Sequence, residues 1–508
     1  MRYLLAGVLM LVCLSNTAAA PNVNISAAPY LAGGLFTNPV FPVEGQEVAI
    51  TVRASCTNDV PCPFDAHLTL RDAAGSLVTE TTLSLDRNPA SPDVTVEAVF
   101  RWMGGPNGLY TARVELDPAN VIAEENEEDN TAELAVPVVV QGRALHFPWY
   151  SEWPAARWAT CITSSGEAAQ ARLFERGVLP LNWEYGGQSW SYYDKEQART
   201  QPEKALAEIE EVFYKKFSSE AKVYGFGIDE CGGYPNTWTY DASIASMKGL
   251  IRARKTAPGR FFAVWNSGGL RPELAGYYRQ AADLLLLETY LWRALPDELG
   301  ADDTYQVIVD RIEPIVRGTD MFQPAYFNHC YTLIAFDTSE RPDRIDLGEQ
   351  EQAVRFVRRR FPEMRGIAWY NAGYGLEKTA ENDRMNEAVQ ANADRLCFEY
   401  FVKPCVTLMQ ESLWMNYEQD GSVLTAALSN IGGMDAHEVT VAFQVDGAPA
   451  GQQTVERVPA GPNRSVDRVL LKQPIQLTPG PHTFEARILS APGATVLDSR
   501  VTLDRFVP

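Results

Sequence analysis

Hydrophobic and polar residues follow two different patterns along this chain. Over residues 22–140, apolar positions such as Val48, Ile50 and Val52 alternate with polar ones, and Gly and Pro clusters separate the short runs. A period of two with frequent turns is typical of half-buried strands and predicts an Ig-like β-sandwich. Residues 410–508 repeat this pattern, with a strand at 439–443 between turn sequences at 429–433 and 459–461. We therefore expect a second β-sandwich there.

Between these two regions, strands alternate with helices. The clearest helix covers 200–217, where Thr200 and Glu203 form a capping box and Ile209, Phe213 and Phe217 share one face. Eight strands with helices between them predict a (β/α)8 TIM-type barrel. The connection after the first strand is too short for a full helix, which leaves an imperfect barrel or an open doubly wound sheet as the alternative. The eight apolar or aromatic runs end at Phe147, Ile162, Trp183, Ile228, Trp265, Leu287, Phe327 and Trp369.

The first twenty residues have the composition of an export signal. Arg2 supplies a positive charge, residues 4–14 are apolar but too few to span a bilayer, and residues 17–20 offer small side chains to a signal peptidase. A lipoprotein signal would need a small residue before Cys13, where Val12 stands. We expect an exported protein without a transmembrane segment, located in the periplasm, outside the cell or at its surface.

These patterns predict a multidomain chain in four parts. A signal peptide at 1–20 precedes an Ig-like sandwich at 21–140, a (β/α)8 barrel at 141–408 and a second Ig-like sandwich at 409–508. The formal charge of −21, from 65 acidic and 44 basic residues, argues against a nucleic-acid partner, because phosphate binding needs clustered Lys and Arg.

Cysteine spacing suggests disulfide bonds, which are common in exported proteins. Cys56 and Cys62 bracket one short loop, and Cys397 and Cys405 bracket another, so each pair is expected to form a local disulfide. The chain has no C-x2-C pair and no His-rich cluster, so we expect no metal and no cofactor. Three cysteines remain beyond these pairs and the signal, namely Cys161, Cys231 and Cys330.

The end of the first predicted sandwich resembles a known module. It carries an Asp117-Pro118 turn, an acidic run at 124–129 and Asn130 before the last strand. These features resemble the closing hairpin of the CARDB family, a bacterial extracellular Ig-like module, and residues 410–508 resemble it too. The resemblance implies spacing, display or binding rather than chemistry. The acidic run is interpreted as a solvated loop, with calcium binding as the alternative.

Aromatic and polar residues cluster after the predicted strands of the central region. Active sites of such barrels lie at the carboxyl ends of the strands. Flat apolar rings beside polar groups suit the faces of sugar rings, although core packing is the alternative use of an aromatic side chain. The candidate substrate-binding residues are Trp149, Tyr150, Glu184, Tyr185, Trp265, Asn266, Tyr290, Trp292, Tyr326, His329, Trp369, Tyr370 and Asn371.

Carboxylates follow the fourth and sixth strands. Bulky residues alternate with Gly225, Gly227 and Asp229 along the fourth strand, so Asp229 is expected to face the barrel axis. Glu288 ends the apolar run at 284–287 on the sixth strand. Two opposed carboxylates suffice for glycoside hydrolysis, with Asp229 as nucleophile or base and Glu288 as acid. Glu230 is the stand-in for Asp229, and a salt bridge at the barrel rim is the structural alternative for either residue.

The sequence at 225–231 also resembles a family motif. Gly-Phe-Gly-Ile-Asp-Glu-Cys is similar to the fourth-strand motif of the α-galactosidase-like clan of glycoside hydrolases, in which an Asp two residues before a Cys is the nucleophile. That resemblance implies that Asp229 is the nucleophile and that the acid comes from the sixth strand. Two departures are Gly227, where the clan has an inward Lys, and Glu288, where it has Asp.

Two functional hypotheses follow. The first is a secreted glycosidase that acts on an oligo- or polysaccharide. The second is a noncatalytic glycan-binding or cell-surface adhesion protein with a degenerate barrel. Other hydrolase motifs are missing from the sequence, namely the G-x-S-x-G elbow, H-E-x-x-H and the P-loop.

Overall fold

The computed structural model describes most of the chain, with gaps at both ends and between several elements. The described residues are 22–25, 34–57, 60, 63–87, 95–124, 126–140, 147–149, 157–164, 166–185, 195–218, 224–229, 237–256, 260–267, 272–288, 331–334, 347–362, 364, 366–369, 377–409, 411–418, 421–460 and 468–507.

Eight strands in the first region form one antiparallel sheet in the order β1-β3-β6-β5-β4-β7-β8, with β2 also paired to β3. The long strand β5 pairs with β4 over most of its length and then with β6 through Asp86 and Arg87. Because β5 pairs with β4 on one side and with β6 on the other, the strands form one continuous sheet. This sheet wraps into a nearly closed antiparallel barrel. The strands are β1 (Asn22–Ile25), β2 (Gly34–Asn38), β3 (Glu47–Thr57), β4 (Phe64–Arg71), β5 (Leu77–Arg87), β6 (Thr95–Met103), β7 (Gly108–Leu116) and β8 (Thr131–Val138).

The central region holds a second sheet of eight strands. All neighbours are parallel, and the spatial order follows the chain from β9 to β16. These strands are β9 (Pro148–Trp149), β10 (Cys161–Thr163), β11 (Leu179–Tyr185), β12 (Gly225–Asp229), β13 (Phe261–Ser267), β14 (Leu284–Glu288), β15 (Tyr331–Ile334) and β16 (Ile367–Ala368).

Seven α-helices occur in the described part of the central region. The helix predicted at 200–217 is confirmed as α3, which buries Ile209, Phe213 and Phe217 on one face. None of the described helices is long and apolar enough to cross a membrane. The helices are α1 (Glu167–Glu175), α2 (Lys195–Thr200), α3 (Pro202–Ser218), α4 (Thr237–Thr256), α5 (Pro272–Ala281), α6 (Leu347–Arg360) and α7 (Ala380–Cys397), which continues into a π-helical turn at Phe398–Val402.

The last nine strands form two sheets over a shared core. One has the order β18-β19-β17-β24, with β22 also paired to β19, and the other has the order β21-β20-β23-β25. Leu424 from the first sheet and Val441 and Phe484 from the second are fully buried in this core. The strands are β17 (Cys405–Thr407), β18 (Leu413–Glu418), β19 (Gly421–Asn430), β20 (Ala436–Val445), β21 (Ala448–Val458), β22 (Val469–Ile475), β23 (Gly480–Ser490), β24 (Thr495–Val496) and β25 (Arg500–Val507).

The predicted fold class, a (β/α)8 TIM-type barrel between two Ig-like sandwiches, is wrong. Strands hold 49% of the described residues against 27% in helices, and the parallel strands form a half-barrel. Its end strands, β9 and β16, have two residues each and share a single isolated bridge, Trp149 to Trp369. In the first region, β5 pairs with both β4 and β6, so the strands form one continuous sheet instead of the two separate sheets of a sandwich.

The predicted Cys397–Cys405 disulfide is also absent. Cys397 is a buried thiol at the end of α7 that accepts a hydrogen bond from Trp369 Nε1 at 3.3 Å, whereas Cys405 begins β17. Burial raises the pKa of the Cys397 thiol. Cys62, Cys231 and Cys330 lie outside the described residues, as does the predicted signal peptide.

Candidate functional site

The two faces of β12 bury different side chains. Phe226 and Ile228 point to the helical layer, where the Phe226 ring lies 4.9 Å from that of Phe217 on α3. Gly225 and Gly227 occupy the opposite face, which we call the inner face of the parallel sheet. Seven fully packed residues form an inner-face cluster, namely Cys161, Leu181, Ala263, Trp265, Leu284, Leu286 and Ala368.

Gly227 lets two side chains meet across the inner face. A Cβ atom at this position would lie 2.7 Å from Thr163 Cγ2 and 3.0 Å from Trp265 Cζ3, and both separations are too short for packed carbon atoms. No side chain larger than hydrogen fits without a shift of these neighbours. The inner face is therefore densely packed at Gly227, two residues before the carboxyl end of β12.

Asp229 is the last residue of β12 and is 8% exposed. Strand alternation puts it on the same face as Gly225 and Gly227, and its register partner on β11 is Tyr185. Burying a carboxylate is costly unless it is paired or used in chemistry. Asp229 is therefore a buried acid at the carboxyl end of a parallel strand, which is the end where functional residues of such sheets are usually found.

Glu288 occupies the corresponding end of β14, next to Ser267 of β13. It shares strand parity with Leu284 and Leu286, which belong to the inner-face cluster. Strand β13 lies between β12 and β14, so the backbones of Asp229 and Glu288 are separated laterally by two strand spacings, about 10 Å. The register also sets Glu288 two residues farther along its strand than Asp229. Only its backbone is described.

Trp183 is a residue that the candidate set missed. It precedes the carboxyl end of β11, pairs in register with Gly227, and is 50% exposed. The pattern of apolar residues gave its position as a strand end, but alternation with Leu181 was needed to assign it to the inner face. Its chain neighbour Glu184 lies on the opposite face and forms an ion pair of 2.7 Å with Lys216 of α3.

The three described tryptophans among the candidate substrate-binding residues are fully buried. Trp265 belongs to the inner-face cluster. Trp149 and Trp369 lie in the core beside the helices, with ring centroids 6.3 Å apart. Ligand contact by these rings stays a prediction, and it would require that ring faces now packed against protein become exposed.

The remaining candidates are described in part or not at all. Among the described residues, the strand next to β14 is Tyr331–Ile334, whereas the expected strand end at Phe327 lies outside them. The structure describes the backbones of Tyr185 and Asn266 at the ends of β11 and β13. The candidates outside the described residues are Tyr150, Glu230, Tyr290, Trp292, Tyr326, His329, Tyr370 and Asn371.

Asp394 is a second buried carboxylate, in α7 on the helical side of the sheet. Its Oδ1 accepts hydrogen bonds from the backbone N–H groups of Arg157 at 2.7 Å and Trp158 at 3.1 Å. Burial raises the pKa of Asp394 to about 7. Nothing in the sequence pattern indicated this role, because its partners lie more than 230 positions away.

The side-chain amide of Asn130 forms hydrogen bonds with two carboxylates of the acidic run at 124–129. Asn130 Nδ2 donates to Glu124 Oε1 at 2.9 Å and to Glu127 Oε2 at 3.0 Å. Burial raises the pKa of the Glu124 carboxyl. Within the described ranges, no group of three or more His, Cys, Asp or Glu residues is arranged to hold a metal ion.

Comparisons with known proteins give weak likenesses. No protein-family model matches the chain, and no curated protein matches it. Among solved structures, a cycloisomaltooligosaccharide glucanotransferase from Paenibacillus sp. is 11% identical, with 94% of this chain and 71% of that chain covered and a TM-score of 0.35. A β-glucuronidase from Ruminococcus gnavus is 13% identical, with 72% and 67% covered and a TM-score of 0.35.

The third likeness is to the CARDB domain of a Pyrococcus furiosus protein in complex with di-metal ions. It is 20% identical, covers 24% of this chain and 96% of that chain, and has a TM-score of 0.19. The glucanotransferase and the glucuronidase are carbohydrate-active enzymes. At these identities and TM-scores, the likenesses carry no argument about the activity or the substrate of this chain.

Proposed function

We propose that this chain is an exported glycoside hydrolase that uses Asp229 and Glu288 as its paired carboxylates. The observation that carries the proposal is the burial of Asp229 at the carboxyl end of β12, on the inner face of the parallel sheet. Glu288 stands at the equivalent end of β14 with the same strand parity. Carboxylates on next-but-one strands approach a sugar from two sides, as glycoside hydrolysis requires.

The roles follow from the chemistry of the bond. One carboxylic acid protonates the leaving oxygen, and one carboxylate attacks the anomeric carbon or activates water. We assign the second role to Asp229 and the first to Glu288. Carboxyl groups about 5–5.5 Å apart give retention, and a separation of about 6.5–9.5 Å gives inversion. Backbones about 10 Å apart laterally and offset by two residues in register are compatible with either distance.

Substrate contacts complete the proposal. Tyr185 stands at the end of strand β11 as the register partner of Asp229, so strand parity gives both residues the inner face. Its hydroxyl group suits a hydrogen bond to a sugar hydroxyl or to the Asp229 carboxylate. Asn266 follows Trp265 on β13 and has the parity of Val264, on the helical face. The likeness to carbohydrate-active enzymes agrees with this substrate class and adds no weight of its own.

Hydrolysis of a panel of aryl glycosides and polysaccharides tests the proposal. Asp229→Asn and Glu288→Gln should each lower kcat by about 10²–10⁴-fold, because these groups act chiefly in the transition state. The matched control is Glu203→Gln, which removes an exposed carboxylate on α3 and should leave turnover unchanged. Circular dichroism and thermal unfolding check that each variant folds.

Two outcomes would overturn the assignment. If Glu288→Gln keeps near-wild-type turnover on a cleaved substrate, Glu288 is not the acid. If no glycan is cleaved but one binds the wild type and Asp229→Asn equally, the chain is a noncatalytic glycan-binding protein.

A further inference from the structure

We propose that Trp183 is the platform on which one sugar ring of the substrate stacks beside Asp229. This inference rests on the proposed function and adds a binding residue to it. Three observations carry it, namely the register of β11, the exposure of the ring and the way in which the opposite face of the strand is anchored.

The register places Trp183 beside the proposed nucleophile. Trp183 pairs with Gly227 and Tyr185 pairs with Asp229 across β11 and β12. Residues paired across parallel strands share a face, and residues two apart on a strand do so as well. Trp183 and Asp229 therefore lie on the same inner face, diagonal to one another. At this separation of roughly one strand spacing and two residues, an indole ring and a carboxylate can contact one pyranose.

The exposure of Trp183 sets it apart from other tryptophans of the parallel sheet. Its relative exposure is 50%, whereas Trp149, Trp265 and Trp369 are fully buried. The volume below is already filled, since Thr163 and Trp265 approach each other over Gly227. The core thus gains little from a large aromatic residue at this position. An indole held half in water at the end of a strand is suited to a ligand with an apolar face.

Polar contacts on the other face hold β11 in place. Asn182 accepts a hydrogen bond from Gln170 of α1, and Glu184 pairs with Lys216 of α3 at 2.7 Å. The residues immediately before and after Trp183 therefore anchor the strand to the helical layer. A platform on a strand anchored in this way loses little conformational freedom when a ligand binds.

The chemistry points to an uncharged sugar face as the partner. The C–H face of a pyranose is apolar and flat, and covering an indole removes a large apolar area from water. Such contact is present in both the ground state and the transition state, so it lowers KM and leaves kcat nearly unchanged. Losing it should raise KM by roughly 10- to 100-fold, which corresponds to burial of one large apolar side chain.

The first measurement compares kcat and KM of Trp183→Ala, Trp183→Phe and wild type on a substrate found in the glycoside panel. We expect Trp183→Ala to raise KM with little change in kcat, and Trp183→Phe to restore most of the affinity. The matched control is Phe506→Ala, which removes an aromatic ring that is 70% exposed on β25 in the last region. It should leave KM unchanged.

The second measurement separates this inference from the proposed function. Glycan binding is titrated by tryptophan fluorescence in Asp229→Asn and in Asp229→Asn/Trp183→Ala, where turnover is suppressed. Weaker binding in the double variant supports the platform. If Asp229→Asn abolishes turnover while Trp183→Ala changes neither KM nor Kd, the platform is wrong and the hydrolase stands. If the panel yields neither cleavage nor binding, both proposals are overturned.

Discussion

The two faces of the parallel sheet differ in what they bury, although the same strands supply both. The helical face takes bulky rings and branched chains such as Phe226, Ile228 and Phe262. The inner face combines glycines with Trp265 and ends in Asp229. Large side chains on one face provide the buried area that stabilises the fold. The other face can therefore hold a buried acid that contributes nothing to hydrophobic packing.

The same contrast separates two buried carboxylates. Asp394, on the helical side, accepts two backbone hydrogen bonds that fix the chain at Arg157 and Trp158. The Trp158 ring then stacks on Phe398 at 5.0 Å and on Phe41 at 5.9 Å. Asp394 has a strongly raised pKa and yet serves the architecture. A perturbed carboxylate is therefore evidence for a site only where its position at a strand end supports it.

The largest expected effect is on the helical face. Phe226→Ala removes a fully buried ring that contacts Phe217 at 4.9 Å and Phe262 at 5.7 Å, so it should lower the free energy of unfolding by about 3–5 kcal/mol. Chemical denaturation measures the loss. Glycan turnover per folded molecule should stay close to wild type, because the other face carries the proposed site.

A control and a contrary result sharpen this prediction. Phe506→Ala, at an exposed position on β25, should change stability by less than about 0.5 kcal/mol. If Phe226→Ala left stability intact and removed turnover, the division between a packing face and a functional face would be wrong.

Local alternation predicted the strand details well. The bulky–small pattern of residues 225–229 and the helical stripe of α3 both appear in the structure. These features depend only on near neighbours in the chain. Trp183 continues the alternation of Leu179 and Leu181, so parity along β11 is enough to assign it to the inner face.

Long-range pairing could not be obtained in the same way. The pairing of β5 with β6 depends on Asp86 and Arg87, which pair with Glu97 and Val96. Alternation along one strand does not indicate which other strand it pairs with. The pairing of β15 (Tyr331–Ile334) with β14 and β16 likewise depends on distant partners, whereas the expected strand end at Phe327 lies outside the described residues. The link from Asp394 to Trp158 also needs the tertiary fold.

The next effect concerns the buried acid of the helical layer. The folded state keeps the Asp394 proton up to a pH of about 7, whereas the ordinary pKa of this group is 3.8. As pH rises through that window, the unfolded state binds fewer protons than the folded state. The free energy of unfolding therefore falls, by up to about 1.4 kcal/mol per pH unit from this group.

Asp394→Asn isolates the contribution of this group. The amide keeps an oxygen acceptor for both backbone N–H groups and cannot ionise. The variant should gain stability relative to wild type as pH rises from about 4 to about 7, as measured by urea unfolding across that range. Phe506→Ala, at an exposed position, changes no ionisable group and should give a stability curve parallel to wild type across that range. Parallel stability curves for Asp394→Asn and wild type would show that Asp394 ionises normally in the fold.

The smallest expected effect, and the one closest to the proposed site, comes from Gly227→Ala. The added methyl would meet Thr163 Cγ2 at 2.7 Å and Trp265 Cζ3 at 3.0 Å, so the inner face must expand at a cost of about 1–3 kcal/mol. Asp229 lies two residues on, so turnover should fall as well, because a displacement of about 1 Å can cost 10²-fold in rate. Thr163→Ser removes the contacted methyl group and keeps the hydroxyl. In a double-mutant cycle it should therefore recover part of both losses, and purely additive effects would show that the inner face is not packed through Gly227.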